Sequence, residues 1–83
     1  MDDELRMECR PTKTLPEGYL WIHWTDGSGH LRHPDGTSSF EYDLNPYYGQ
    51  GVEYQKNNQW SVFWGSFDDF IAFAEHETME RLK

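Results

Sequence analysis

Short runs of strand-forming residues separated by turn residues fill the chain from Gly18 to Trp64, and only after Ser66 does the apolar spacing change. Residues 19–24 (Tyr-Leu-Trp-Ile-His-Trp) are apolar on both faces, the pattern of a central strand with cover on each side. Asp26-Gly27-Ser28-Gly29 predicts a turn, 30–33 a short second strand, and Pro34-Asp35-Gly36 another turn. Phe40, Tyr42 and Leu44 alternate with Glu41, Asp43 and Asn45, which predicts a half-buried third strand. Residues 45–51 read as a loop. Val52, Tyr54 and Lys56 then alternate with polar residues, Asn57-Asn58 suits the left-handed positions of a tight hairpin, and 60–64 returns as a strand.

Residues 1–10 carry two patterns. Leu5, Met7 and Cys9 alternate with Arg6 and Glu8 as in an edge strand, whereas Asp2-Asp3-Glu4 is compatible with a helical turn. The strand is the preferred reading. Pro11 and Pro16 bracket a connector.

The period changes at the C-terminus. Ser66 is a suitable N-cap, with Asp69 at the third helical position and Asp68 at the positive end of the dipole. At about 100° per residue, Phe67, Phe70, Ile71, Ala74, Thr78 and Leu82 fall on one stripe, which is the expected core face. Phe73 projects beside that stripe, on the side of Asp69, Glu77 and Glu80. It reads either as peripheral core or as an aromatic anchor in an acidic rim.

These patterns predict an α+β fold: an antiparallel β-meander of four or five strands with one C-terminal helix packed on one face. Residues 1–83 form a single small domain, divided into a flank or edge strand (1–17), the meander (18–64) and the helix (66–82).

Composition makes that fold plausible for so short a chain. Aromatic residues are 17% of the total, and each buries roughly 150–250 Å². The formal net charge of −8 reflects fifteen acids against seven bases. The bases are scattered, so direct binding to nucleic acid or to an anionic membrane is not expected, and the expected partner is a protein with a basic surface. A secretory leader is not expected in 1–12, nor a membrane span, so the expected location is cytoplasmic. The single cysteine, Cys9, predicts neither an internal disulfide nor a structural zinc site.

Candidate chemistry is thin. His23, His33 and Asp35 are the best trio for a metal, because imidazole and carboxylate suit zinc or iron. His30 and His33 are separated by an odd number and would point to opposite faces of a regular strand. In His76-Glu77-Thr78-Met79-Glu80 a glutamate stands where a zinc-protease helix needs its second histidine. Nothing in the sequence suggests a nucleophile elbow or a phosphate loop, and no cofactor is expected. Tyr47 and Tyr48, in a glycine-flanked loop, read either as a cap on the core or as exposed aromatics for a partner.

Residues 15–46 resemble a WW domain in Leu15-Pro16-Glu17-Gly18-Tyr19, Thr25-Asp26-Gly27, His33 and Phe40. Both signature tryptophan positions hold Tyr19 and Phe40, and the paired central-strand aromatics are replaced by His30 and Leu31. Proline-rich ligand binding is therefore not carried over, and the match is treated as coincidence. In size and charge alone the chain is similar to phage or mobile-element inhibitors of nucleic-acid-handling or defence machinery, including anti-CRISPR proteins. The expectation is a non-enzymatic inhibitor that binds through Asp69, Phe73, Glu77, Glu80, Tyr47 and Tyr48. An antitoxin or immunity-type protein is the alternative within binding, and a small metal-binding enzyme or sensor using His23, His33 and Asp35 is the alternative outside it. An exposed edge strand also makes a homodimer conceivable.

Overall fold

The computed structural model describes residues 6–44 and 51–83. Six strands follow one another in chain order: β1 (Met7–Pro11), β2 (Leu20–Trp24), β3 (Ser28–Arg32), β4 (Ser38–Asp43), β5 (Gly51–Lys56) and β6 (Gln59–Trp64). They form a single antiparallel sheet in the order β1-β2-β3-β4-β5-β6, closed on one side by α1 (Phe67–Arg81). The class is the expected α+β meander with a C-terminal helix. It has six strands where four or five were expected, because Met7–Pro11 pairs fully with Leu20–Trp24. Tyr47, Tyr48 and residues 1–5 lie outside the described residues.

The turns follow their side chains. Asp26 Oδ1 accepts from Ser28 N (2.9 Å) and Ser28 Oγ (2.7 Å), so the reversal closes early and β3 begins at Ser28 instead of His30. Asp35 repeats the device with Thr37 N and Oγ1. Asn57 and Asn58, at φ 54° and 65°, are the paired left-handed residues of a two-residue hairpin, as the sequence predicts.

One face of the sheet holds the core. Trp21, Leu31, Phe40, Tyr42 and Val52 are buried there against Phe70 and Ala74 of α1. Phe70 is the hub, with ring contacts to Trp21, Phe40, Tyr42, Tyr54, Phe63, Phe67 and Phe73. A bulge in β4 helps to fill this layer. Between Gly29↔Tyr42 and Leu31↔Ser39, β4 places Phe40 and Glu41 opposite the single residue His30. Phe40 takes φ 50° at that point, a costly conformation for a bulky residue, and its buried ring meets Tyr54, Phe70 and Phe73. Gly29 is required opposite Tyr42, since a Cβ there would collide with the Tyr42 hydroxyl and the Ile22 carbonyl.

The helix keeps most of its predicted face. Ser66 Oγ accepts from Asp69 N at 3.1 Å, and Phe70, Ala74 and Thr78 are buried. Two positions differ. Leu82 is the C-cap and 50% exposed, because the helix has ended beyond the edge of the core. Glu75, polar and outside the predicted stripe, is only 2% exposed. Its Oε1 accepts from Lys13 N, Thr14 N and Thr14 Oγ1, and its Oε2 from Trp21 Nε1 at 2.8 Å. That carboxylate ties the β1–β2 connector to the helix.

Candidate protein-binding face

Among the described residues, no helix lies on the other face of the sheet. Because paired residues in an antiparallel ladder share a face, the register defines what it displays. Met7 lies opposite Trp24, and Cys9, Ile22 and His30 form a row. Beyond the bulge come the rows Glu41–Gln55–Trp60 and Asp43–Glu53–Val62, and then Gly51 opposite Trp64. Strand β2 is buried on both faces, as its pattern predicts, with Trp21 toward the helix and Ile22 on this face.

Large apolar groups therefore remain in contact with solvent. Trp60 is 57% exposed, Trp64 69% and Met7 53%. Trp60 and Trp64 share β6 while Met7 stands at the opposite edge on β1, and exposed aromatics beside charged neighbours are a usual component of an interaction surface. Near the centre of the face Trp24, His30, Glu41, Asp43 and Trp60 line a shallow depression of about 230 Å³. Two indoles and two carboxylates around one hollow present the ring quadrupole and the negative charge that a cationic side chain needs. Sequence reasoning missed this group. Its signal was Trp60 and Trp64 at spacing i, i+4 on a strand, which puts both indoles on one face.

The helix-borne candidates are placed differently from one another. Phe73 is half-buried and stacks on Phe63 at 5.2 Å, with edge contacts to Phe40 and Tyr54, so its ring belongs to the helix–sheet packing. Glu77 is bound by Lys56 Nζ at 2.9 Å, which holds its carboxyl below the usual range. Glu80 pairs with Lys83 at 3.0 Å, and Asp69 is exposed in the first helical turn. They are not gathered around an exposed aromatic ring.

The histidines are engaged separately. His33 Nε2 meets Ser39 Oγ at 2.7 Å, and His23 Nδ1 meets the Tyr42 hydroxyl at 2.8 Å. Burial pushes the Tyr42 phenol up to about 12, so the hydroxyl stays protonated. Asp35 accepts from Thr37 in its turn. Among the described residues no three His, Cys, Asp or Glu side chains come together to hold a metal ion, so His23, His33 and Asp35 do not form the trio.

A second concavity, about 250 Å³, opens between β1 and α1, with Trp21 and Ile71 in its wall and Glu75 at its base. Burial would raise the Glu75 carboxyl, but the hydrogen bonds from Trp21, Thr14 and Lys13 outweigh it and hold the group below its ordinary value. An ionised carboxylate with both oxygens occupied is a poor proton donor and a poor base. Among the described residues no helix is long and apolar enough to cross a membrane. No protein-family model, curated protein or solved structure matches the chain.

Proposed function

We propose that the chain is a non-catalytic protein-binding domain whose helix-free sheet face occupies a basic surface of a partner protein. The observation that carries this reading is the depression in which Trp24 and Trp60 stand with Glu41 and Asp43. A lysine or arginine side chain of the partner fits it. The cation lies against an indole and between carboxylates, while the exposed Trp60 ring supplies apolar contact beside it. The net charge of −8 draws a basic partner in from a distance.

A basic surface shaped for the phosphates of nucleic acid is a natural target, and its occupation inhibits the machinery that carries it. This is how a phage or mobile-element inhibitor of nucleic-acid-handling or defence machinery, of the anti-CRISPR kind, would act. The depression supports the chemistry of recognition, and the identity of the machinery is the further step of the proposal.

The test is a titration with a short peptide rich in arginine and lysine, followed by tryptophan fluorescence. The emission of the wild-type protein changes saturably, and Trp60→Ala loses most of the response. An unresponsive wild-type protein overturns the reading.

A further inference from the structure

The sheet is open, and its two edges are built differently. At one edge β1 carries Glu8 and Arg10 and ends on Pro11, which are features that discourage another strand from pairing there. At the other edge β6 reads Gln-Trp-Ser-Val-Phe-Trp, with neither a charge nor a proline along its length. In a chain of net charge −8, β6 is an element along which two copies meet without opposing like charges.

The geometry points to β6 as a self-pairing edge, at which a second copy of this chain adds its own β6 in antiparallel fashion. The hairpin at Asn57-Asn58 makes Lys56↔Gln59 its closing hydrogen-bonded pair, so Gln59, Ser61 and Phe63 direct their backbone groups toward β5. Trp60 and Val62 alternate with them and direct their N–H and C=O outward. In a two-fold arrangement paired residues share a face, which requires the axis to pass through a residue position. An axis at Val62 pairs residues 60–64 of the two strands and puts an outward-facing backbone position on the axis. It sets Val62 against the second copy's Val62, and Trp60 against the second copy's Trp64. Both indoles are already exposed and on the same face, where cross-strand aromatic pairs are favourable. The helix packs closest to β5, and among the described residues β6 is the last strand of the sheet. The product is a continuous sheet of two copies with both helices on one side and both acidic faces on the other.

Sedimentation of the full chain over a concentration series, at low and high salt, tests this inference. The wild-type protein forms a dimer that salt does not weaken, because the joint is uncharged and the copies otherwise repel. Val62→Pro removes an outward N–H without breaking a β5–β6 bond, and Trp60→Lys places a cation at the joint. Both variants sediment as monomers with the wild-type circular dichroism spectrum. Should Val62→Pro lose that spectrum, Trp60→Lys alone decides. A wild-type protein that is monomeric throughout, or a dimer that survives Trp60→Lys, overturns the inference.

Discussion

Trp21 donates its indole N–H to Glu75 at 2.8 Å, and with that bond the largest side chain of the sheet core and a carboxylate on the helix satisfy each other in a buried site. The same carboxylate receives the backbone N–H groups of Lys13 and Thr14, so one side chain fixes strand, connector and helix together. Glu75→Ala leaves those donors without an acceptor and is expected to cost about 3 kcal/mol, whereas Glu75→Gln keeps one oxygen and costs about 1–2 kcal/mol. Urea denaturation measures both. Equal stability of Glu75→Gln and wild type would show that the negative charge adds nothing to the site.

The pH dependence has a definite sign. Because the Glu75 carboxyl is held below its ordinary value of 4.5 in the folded protein, its contribution is complete above that value and is lost as the pH falls through the folded one. Asp26, held down chiefly by the Ser28 hydroxyl, and Asp35, by the Thr37 hydroxyl, act in the same direction. The difference between wild type and Glu75→Gln isolates Glu75. It should shrink on acidification below about pH 4.5; a difference that grows there would reverse the assignment.

Phe70 and Phe73 lie on one helix and face the same aromatic layer, yet they are unequal. Phe70 is fully buried at the hub, and Phe70→Ala is expected to cost about 3–5 kcal/mol. Phe73 is half-buried at the margin, and Phe73→Ala should cost about 1–2 kcal/mol with the fold retained. Denaturation midpoints of the two variants check the order. Similar losses would place Phe73 in the centre of the core.

Two glycines separate steric from backbone effects. Gly29→Ala meets the Tyr42 hydroxyl and the Ile22 carbonyl, and is expected to destabilise by about 2–3 kcal/mol. Gly36 has open space around a Cβ but a φ of +91°, so Gly36→Ala should cost about 1 kcal/mol from backbone strain alone. Thermal unfolding of both checks the pair, and a larger loss at Gly36 would contradict the close packing at Gly29.

Much of this fold is written in local chemistry. Ser66, the Asn57-Asn58 turn and the Phe67–Phe70–Ala74 spacing each act within a few residues, and each is found where the pattern places it. What the pattern hid is long-range. Glu75 reads as a solvent-facing acid until the connector some sixty residues earlier brings it Lys13 and Thr14. The bulge at Phe40 is silent for a similar reason, since it exists only relative to His30 on the neighbouring strand. The helix-free face was illegible because alternation shows that two faces exist and not which one the helix covers. Trp24, Trp60 and Met7 look like core residues until the register puts them on the side away from the helix.

The central claim is that Glu41 and Asp43, beside Trp24 and Trp60, receive a cationic side chain. The most direct measurement is the affinity of an arginine- and lysine-rich peptide for wild type and for the Glu41→Lys/Asp43→Lys variant, across a salt series. Both positions are exposed, so the fold should be unaffected. The account predicts wild-type binding that weakens as salt rises and a variant whose affinity falls by about tenfold or more at low salt. Equal affinity of the two proteins, or wild-type binding indifferent to salt, would contradict it.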